Sequence, residues 1–389
     1  MAKSPFLEAK LKITVWAGYF SMAIKKIKPK NMDWGFLVVI FMLLIFGLFI
    51  LSSASYIVAD KKFGDPNFYL KAQLMKGVLI GLAGFLFFSK VPLSILKKYS
   101  FLFLIFSVGL MILIFIPRFG ITYGGSTRWL NIGPLVFQPS EILKLSFIIY
   151  LASWLESRQK QLRAFSNGLL PFLAIMGIIG LLLVMQPNIG TFGIIAFSAA
   201  AVYFAAGAKK THLFLLILIG IAAFSALIYL KPYAAERFLV FLNPQNDTSG
   251  AAYQINQSLT AIGVGGPMGI GMNQSLVSAY LPESIGDSIF AVLAEKLGLL
   301  GVSFTLILYL FFGVFGYRIA FKSQNYFPKF LAIGITSWIL VQTFINIAAT
   351  SGLMPLTGVP LPFISYGSSG LVINLIGAGI IANISRYND

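Results

Sequence analysis

WGFLVVIFMLLIFGLFILSSA, residues 34–54, is the first long apolar run of the chain and contains no charged residue. At ~1.5 Å per residue, a helix of this length crosses the ~30 Å hydrocarbon core of a bilayer. Nine further apolar runs follow, at about 72–89, 99–117, 139–155, 168–186, 189–207, 212–231, 287–316, 328–350 and 367–384. The pattern predicts an all-α integral membrane protein with about ten transmembrane helices.

The composition of the 389-residue chain supports this prediction. Hydrophobic residues make up 58%, charged residues only 11%, and the mean hydropathy is +0.87, whereas soluble domains carry about 25% charged residues. A water-soluble enzyme is therefore excluded. The chain has no cysteine and a single histidine, His212, which excludes disulfides, histidine-based zinc sites and Ser-His-Asp triads.

The net charge of +17 is explained by topology. Of the 29 lysines and arginines, 19 lie in the N-terminal segment, in alternate connections and at the C-terminal end, so these parts are predicted to be cytoplasmic, with both termini on that side. Binding to nucleic acid is not needed to account for the charge. We divide the chain into a basic cytoplasmic segment, residues 1–33, with an interfacial helix at 15–24, and a polytopic membrane domain, residues 34–389.

Three connections on the opposite, outward side are long: 118–137, 351–366 and above all 231–286, between the seventh and eighth runs. Loops of this length are more often functional than idle. The 351–366 stretch is apolar but rich in proline and glycine, which predicts a helix-breaking element whose backbone is satisfied by protein or by a polar cavity. We therefore expect the chemistry on the outer side.

Two charged groups stand near the first outward loop. Arg128 beside Trp129 supplies a fixed cation and an amphipathic ring, which suit a phosphate and a sugar face, although such a pair also serves as an interfacial anchor. Glu141 and Lys144 lie at i and i+3 near the start of a span, so they are predicted to pair or to line a polar cavity. A purely structural pair remains the alternative.

The longest outward loop and the helix after it carry further candidates. Residues 254–262 fit a short amphipathic helix with Gln254, Gln257 and Ser258 on its polar side. Glu283 and Asp287 are the outward acidic residues closest to the membrane, and so are candidates for a general base. From local sequence alone, the pattern favours the interpretation of Asp287 as a helix N-cap. Glu295 and Lys296 lie deeper in the following helix, where buried charges are seldom idle.

These segments, in this order, resemble the SEDS family (shape, elongation, division and sporulation). The resemblance is carried by PESIGDSIFAV at 282–292 and PLPFISYG at 360–367, together with the stretches 125–130, 138–141, 186–191 and 253–259. It implies a ten-helix membrane glycosyltransferase that polymerises lipid II outside the bacterial cytoplasmic membrane. The implied partners are a class B penicillin-binding protein and other membrane proteins of the division or elongation machinery. The N-terminal segment and Gly286-Asp287-Ser288 favour the division branch.

The resemblance also implies roles for individual residues. Asp287 matches the family's essential aspartate and would remove a proton from the acceptor sugar. Arg128 and Lys144 would neutralise the diphosphates, with a divalent cation, Mg²⁺ or Mn²⁺, as an optional helper. The implied substrate-binding set comprises Arg128, Trp129, Glu141, Lys144, Gln257, Ser258, Glu283 and Glu295. Asn188 and Lys296 depart from the family's usual aspartate and glutamate, so no role is transferred to them.

Two other functions stay open at this point. A lipid II flippase would use the intramembrane charges as its path, and it predicts that they matter more than Asp287. A non-catalytic scaffold for the penicillin-binding protein predicts that an Asp287→Asn chain still supports growth.

Overall fold

The computed structural model describes residues 31–123, 126–133, 135–243 and 250–387. The predicted interfacial helix at 15–24 and two glycines of the first outward loop, 124 and 125, lie outside these residues. Helices account for most of the described chain: α1 Trp34–Phe63, α2 Phe68–Phe88, α3 Leu93–Lys98, α4 Ser100–Leu113, α5 Pro139–Ser157, α6 Phe165–Met185, α7 Ile189–Ala205, α8 Lys210–Leu230, α9 Pro232–Leu242, α10 Gly250–Gly265, α11 Ile289–Lys322, α12 Tyr326–Thr350 and α13 Ser368–Ser385. A 3-10 turn, Gln159–Gln161, precedes α6, and Gln73–Leu79 within α2 is π-helical.

Each apolar run of the sequence corresponds to one helix. Among the described residues, seven helices are long and apolar enough to cross a membrane: α1, α2, α6, α8, α11, α12 and α13. Helices α4 and α7 are apolar but shorter, and α5 carries Glu141, Lys144 and Glu156. The chain is thus a multi-pass membrane protein, while the total of ten spans stays a prediction.

Helix α12 forms the centre of the bundle and α8 its periphery. The most apolar stretch of α12 is 78% buried, because α5, α7 and α11 pack around it, whereas the corresponding stretch of α8 is 0% buried. Apolar side chains cover α8 on all sides, as expected of a helix surrounded by lipid. The residues that carry chemistry are found at one end of α12, beside Asn346 and Thr350.

A small antiparallel sheet stands between α4 and α5 and adds to the predicted all-α fold. Its strands are β1 Gly120–Tyr123, β2 Ser126–Ile132 and β3 Leu135–Phe137, in the order β1-β2-β3. Trp129 pairs with Ile121, next to a bulge. Leu130 is fully buried against Leu110 of α4 and Ile114, the residue that follows this helix, and this contact holds the sheet on the bundle. The sequence predicts only a loop here.

The long connection between α8 and α11 contains two helices, α9 and α10. The predicted amphipathic helix at 254–262 is confirmed, and it extends to Gly250–Gly265. An irregular segment then leads to α11, which begins at Ile289 with Ser288 at the N-cap position. The N-cap interpretation of Asp287 is therefore wrong, because the helix starts one residue later than capping would require.

Helix α11 is interrupted at Gly298, where φ is +61°. The irregular segment crosses the helix here: the Leu299 N–H donates to the Gly266 carbonyl at 2.9 Å, and the Ile270 N–H donates to the Glu295 carbonyl at 3.0 Å. A Cβ at Gly298 would overlap the Gly269 backbone, and a Cβ at Gly269 would overlap the Lys296 carbonyl. The two backbones can approach this closely only because both positions are glycine.

The Pro/Gly-rich connection between α12 and α13 is non-helical, and its residues are buried or half-buried except Leu353. Its backbone is satisfied by side chains from other helices, as predicted for such an element. Gln342 Nε2 donates to the Pro360 carbonyl at 2.9 Å, Gln73 Oε1 accepts from the Gly367 N–H at 3.2 Å, and the Tyr309 hydroxyl donates to the Pro362 carbonyl. This connection, residues 351–367, is called the proline loop below.

Candidate active site

Asp287 is held from three directions. Its carboxylate Oδ1 accepts a hydrogen bond from Gln254 Nε2 of α10 at 3.2 Å, and the same amide donates to Ser288 Oγ at 2.9 Å. The Asp287 carbonyl accepts from Asn346 Nδ2 of α12 at 2.7 Å. From the proline loop, Ser365 Oγ donates to the neighbouring Gly286 carbonyl at 2.7 Å. The carboxyl group is thereby fixed in position before any substrate binds.

The surroundings of Asp287 shift its protonation towards neutrality. Burial in protein, followed by the negative charge of Glu283, raises the pKa of Asp287 to about 7, while Arg237 and the Gln254 hydrogen bond oppose the rise. A carboxyl group with a pKa near the working pH is suited to general acid–base catalysis.

Arg237 of α9 is a cation close to Asp287. The sequence did not identify it as a candidate. Its Nη1 donates to the Leu356 carbonyl at 2.6 Å, and its guanidinium lies 4.4 Å from the ring centroid of Tyr233. Gly358 separates the two charges: a Cβ there would be 3.6 Å from Asp287 Oδ2 and 3.8 Å from Arg237 Nη1. A side chain at 358 would therefore fill the space between base and cation.

Arg128 of β2 adds a second cation to this region. Its Nε donates to the Gln186 carbonyl at 3.3 Å, and its Nη2 donates to the Pro187 carbonyl. Its charge acts electrostatically on Arg237, so the two guanidinium groups form one positive region suited to a diphosphate. Trp129 follows Arg128 in the strand, and its ring therefore projects from the opposite face of the sheet.

A narrow cleft and an apolar cavity adjoin these groups. The cleft is lined by Asp287, by Asn346, Ala349 and Thr350 of α12, and by residues 356–359 of the proline loop. The cavity lies between α9, α10 and the proline loop and shares Leu356 with the cleft. Its lining is Arg237, Val240, Phe241, Ala251, Ile255, Leu259, Gly352, Met354, Pro355 and Leu356. The polar cleft thus lies beside an apolar cavity, and Arg237 lines the cavity.

Glu141 and Lys144 form the pair that the sequence predicts, but they lie outside the cleft. Lys144 Nζ is 2.9 Å from Glu141 Oε1, donates to Gln342 Oε1 at 2.7 Å and lies 5.0 Å from the Trp338 ring centroid. The Lys144 side chain is 1% exposed. Because Gln342 also holds the Pro360 carbonyl, the pair reaches the proline loop without facing the cleft.

Glu295 is also used within the protein. It is 0% exposed, and its carboxylate accepts from the backbone N–H groups of Leu276, Val277 and Ser278, the shortest at 2.6 Å. Lys296 Nζ donates to the Met272 and Gln274 carbonyls at 3.1 and 3.0 Å. These two side chains clamp the irregular segment that leads to Asp287.

The remaining predicted residues lie around Asp287 in different ways. Glu283 is exposed, and its carbonyl accepts from the Gly286 and Ser288 N–H groups at 2.9 and 3.2 Å. Gln257 is half-buried one turn beyond Gln254 on α10. Ser258 is fully buried, with its hydroxyl donating to the Gln254 carbonyl at 2.8 Å. Ser258 therefore supports the helix that carries Gln254.

A family described as cell cycle protein, FtsW/RodA/SpoVE, matches residues 34–389 of the chain. Stage V sporulation protein E of Bacillus subtilis is 38% identical over 368 residues, which cover 94% of this chain and 100% of that protein. The probable peptidoglycan glycosyltransferase FtsW of Coxiella burnetii is 37% identical over 350 residues, covering 88% of this chain and 93% of that one.

Solved structures resemble the fold over almost its whole length. A chain from a structure described as structural coordination of polymerization and crosslinking by a peptidoglycan synthase complex has a TM-score of 0.77 at 26% identity, covering 91% of this chain and 98% of that one. The rod shape determining protein RodA of Thermus thermophilus has a TM-score of 0.69 at 24% identity, with 92% and 98% covered.

Proposed function

Because the chain belongs to the FtsW/RodA/SpoVE family, we propose that it is a peptidoglycan glycosyltransferase that polymerises lipid II during cell division or elongation. The activity is the one that the curated FtsW relatives carry in their names. The observation that carries the proposal is the site itself: Asp287, with a pKa of about 7, lies in a cleft beside Arg237.

In the proposed reaction, Asp287 removes the proton of the acceptor's GlcNAc 4-hydroxyl. The oxygen attacks C1 of the donor's MurNAc, the bond from C1 to the diphosphate oxygen breaks, and undecaprenyl diphosphate leaves with inversion at C1. The proton passes from Asp287 to solvent or to the leaving diphosphate. The fixed position of the carboxyl group keeps it within reach of the hydroxyl, and this positioning supports the rate.

Arg237 and Arg128 are proposed to bind the diphosphate. Guanidinium groups hold phosphate oxygens through paired hydrogen bonds and stabilise the charge that develops as the bond breaks. The resemblance gives part of this role to Lys144, but that side chain is buried, ion-paired and bonded to Gln342. We therefore assign the second cation to Arg237, and the apolar cavity beside it to the first units of the polyprenyl chain.

The divalent cation stays a prediction. Within the described residues, no three His, Cys, Asp or Glu side chains cluster as metal ligands, and Asp287 is the single carboxylate that lines the cleft. This donor set does not fit a protein-held divalent site, so no step of the proposed reaction uses one.

The proposed setting is the bacterial cytoplasmic membrane, with both termini in the cytoplasm and Asp287 facing outward. The unequal distribution of basic residues supports this orientation. A class B penicillin-binding protein is the proposed partner, supported by the likeness to a chain of a peptidoglycan synthase complex. The flippase alternative is less well supported, because the intramembrane charges are bonded within the protein.

The test is glycan polymerisation from fluorescent lipid II by the purified protein, with and without a class B penicillin-binding protein. We expect Asp287→Asn to abolish the product while still eluting as a folded species. Asp65→Asn, the same change at a partly exposed aspartate paired with Lys71, is the matched control and should leave the product unchanged. Equal product from Asp287→Asn would refute the assignment of the base, and no product from wild type with its partner would favour the flippase or the scaffold.

A further inference from the structure

Two oxygen atoms in the cleft have capacity that the protein does not use. Asn346 is 1% exposed, and its Nδ2 donates to both the Asp287 and the Val359 carbonyls at 2.7 Å. Its Oδ1 is buried and accepts no hydrogen bond from any described residue, and the same is true of Thr357 Oγ1. Both residues line the cleft together with Asp287.

The two residues that carry these oxygen atoms are held in place by their contacts. The two bonds donated by the Asn346 amide fix its orientation, so that its free oxygen cannot exchange places with the nitrogen without losing both. Thr357 packs on the start of α7, where a Cβ at Gly190 would be 3.0 Å from Thr357 Cβ. The acceptor atoms are therefore part of a built site.

The hydrogen-bonding capacity of the cleft selects its ligand. An ionised carboxylate and an amide oxygen only accept hydrogen bonds, while a threonine hydroxyl both accepts and donates. Buried acceptors are normally paired, so the complementary ligand carries at least two neighbouring O–H groups on one small edge. A diol of a sugar ring meets this requirement, whereas a phosphate offers only acceptors.

We infer that the cleft binds two adjacent hydroxyls of the acceptor sugar, one on Asp287 and its neighbour on Asn346 Oδ1 and Thr357 Oγ1. This inference rests on the proposed function, in which the attacking group is the GlcNAc 4-hydroxyl; the neighbour is then the 3-hydroxyl. Asn346 and Thr357 hold the ring so that only the 4-hydroxyl reaches the base. A site built to pair a hydroxyl discriminates against analogues that lack it.

The first test needs no mutation. A labelled lipid II donor, blocked at its own 4-hydroxyl, is coupled by the wild-type protein, with its penicillin-binding partner, to an acceptor that carries or lacks the 3-hydroxyl. We expect kcat/KM to fall about tenfold or more with the 3-deoxy acceptor, the effect of one lost hydrogen bond in a site left unpaired. Equal rates for the two acceptors would overturn the inference alone. A wild type that couples neither would overturn the proposed function as well.

A pair of Thr357 variants locates the contact. Thr357→Val removes the hydroxyl at nearly constant shape and should cost about tenfold with the natural acceptor, with little further loss for the 3-deoxy acceptor. Thr357→Ser keeps the hydroxyl and should stay within about threefold of wild type. If the fold-losses in kcat/KM from Thr357→Val and from the 3-deoxy acceptor multiply in full when combined, the Thr357 hydroxyl does not contact the 3-hydroxyl. That result would overturn the inference.

Discussion

Two charged couples lie inside the helix bundle and are neutralised in different ways. Glu141 and Lys144 of α5 bind each other, and Lys144 continues through Gln342 to the proline loop. Glu295 and Lys296 of α11 each bind the backbone of residues 272–278, the carboxylate accepting from N–H groups and the ammonium donating to carbonyls.

This difference shows that the sequence around a buried charge in a membrane helix does not identify the group that it binds. The two couples look alike in sequence, and both satisfy the requirement that intramembrane charge be paired or hydrogen-bonded. Glu141 and Lys144 join α5 to α12 and, through Gln342, to the proline loop that lines the cleft. The other couple joins a helix to the irregular segment that carries Asp287. Their loss should therefore have distinguishable effects.

Glu295→Ala should have the largest effect. Three backbone N–H groups would lose their acceptor at once, and at about 1–3 kcal/mol each the free energy of unfolding should fall by about 5 kcal/mol. Thermal unfolding and size-exclusion elution in detergent measure this. Glu236→Gln, at an exposed position of α9, is the control and should change stability by less than about 0.5 kcal/mol. A stable Glu295→Ala protein would contradict the clamp.

Lys144→Met should follow, because it leaves the Glu141 carboxylate buried without its cation. The expected cost is about 3–5 kcal/mol, and adding Glu141→Gln should restore a large part of it, since the uncompensated charge is then removed. The double-mutant cycle in thermal stability is the measurement. Strict additivity of the two single changes would show that the pair contributes nothing as a pair.

Gln342→Leu should reduce both activity and stability, because it also leaves the buried Trp338 Nε1–H and the Lys144 ammonium without this acceptor. It cuts the link from Lys144 to the Pro360 carbonyl, so we expect kcat to fall about tenfold with KM little changed, as for a positioning residue. Thr336→Val is the control on the same helix, since that buried hydroxyl has no hydrogen-bond partner among the described residues. Equal losses of kcat from both variants would show that the hydrogen bonds from Lys144 through Gln342 to the Pro360 carbonyl do not position the site.

The smallest expected effect is a shift in pH dependence. A base must be deprotonated to act, so the rate should rise with pH through about 7, where burial and Glu283 set the pKa of Asp287. Glu283→Gln removes the second of these causes and should move the rise to lower pH. Gln342→Leu changes no charge near Asp287 and should lower the rate without moving the rise. A profile that Glu283→Gln leaves unmoved would contradict the assignment of Asp287 as the titrating base.

The helices were predictable because apolar runs are set by the bilayer, whatever the fold. The pairing of Glu141 with Lys144 was predictable for a similar reason, since three residues along a helix bring side chains together. The sheet at 120–137 was not, because its strands are short and, among its described residues, Leu130 alone is fully buried, so no apolar alternation marks it.

The cleft was only partly predictable. Asp287 follows from the resemblance, but Arg237, Asn346 and Thr357 come from three separate elements, and their meeting depends on tertiary packing. Asn346 did leave a signal: it is an amide inside the apolar run at 328–350, and polar groups at such positions are usually functional. Arg237 stands in an amphipathic helix, where a basic residue carries no such signal.

The crossing of Gly269 and Gly298 constrains how this sequence is able to evolve. A methyl group at either position would overlap the backbone of the other segment. Neither glycine can therefore be replaced while the segment keeps its path to Asp287. The lipid-facing surface of α8, by contrast, can exchange one apolar residue for another without such a conflict. Among related sequences, the two glycines should therefore be conserved together or lost together.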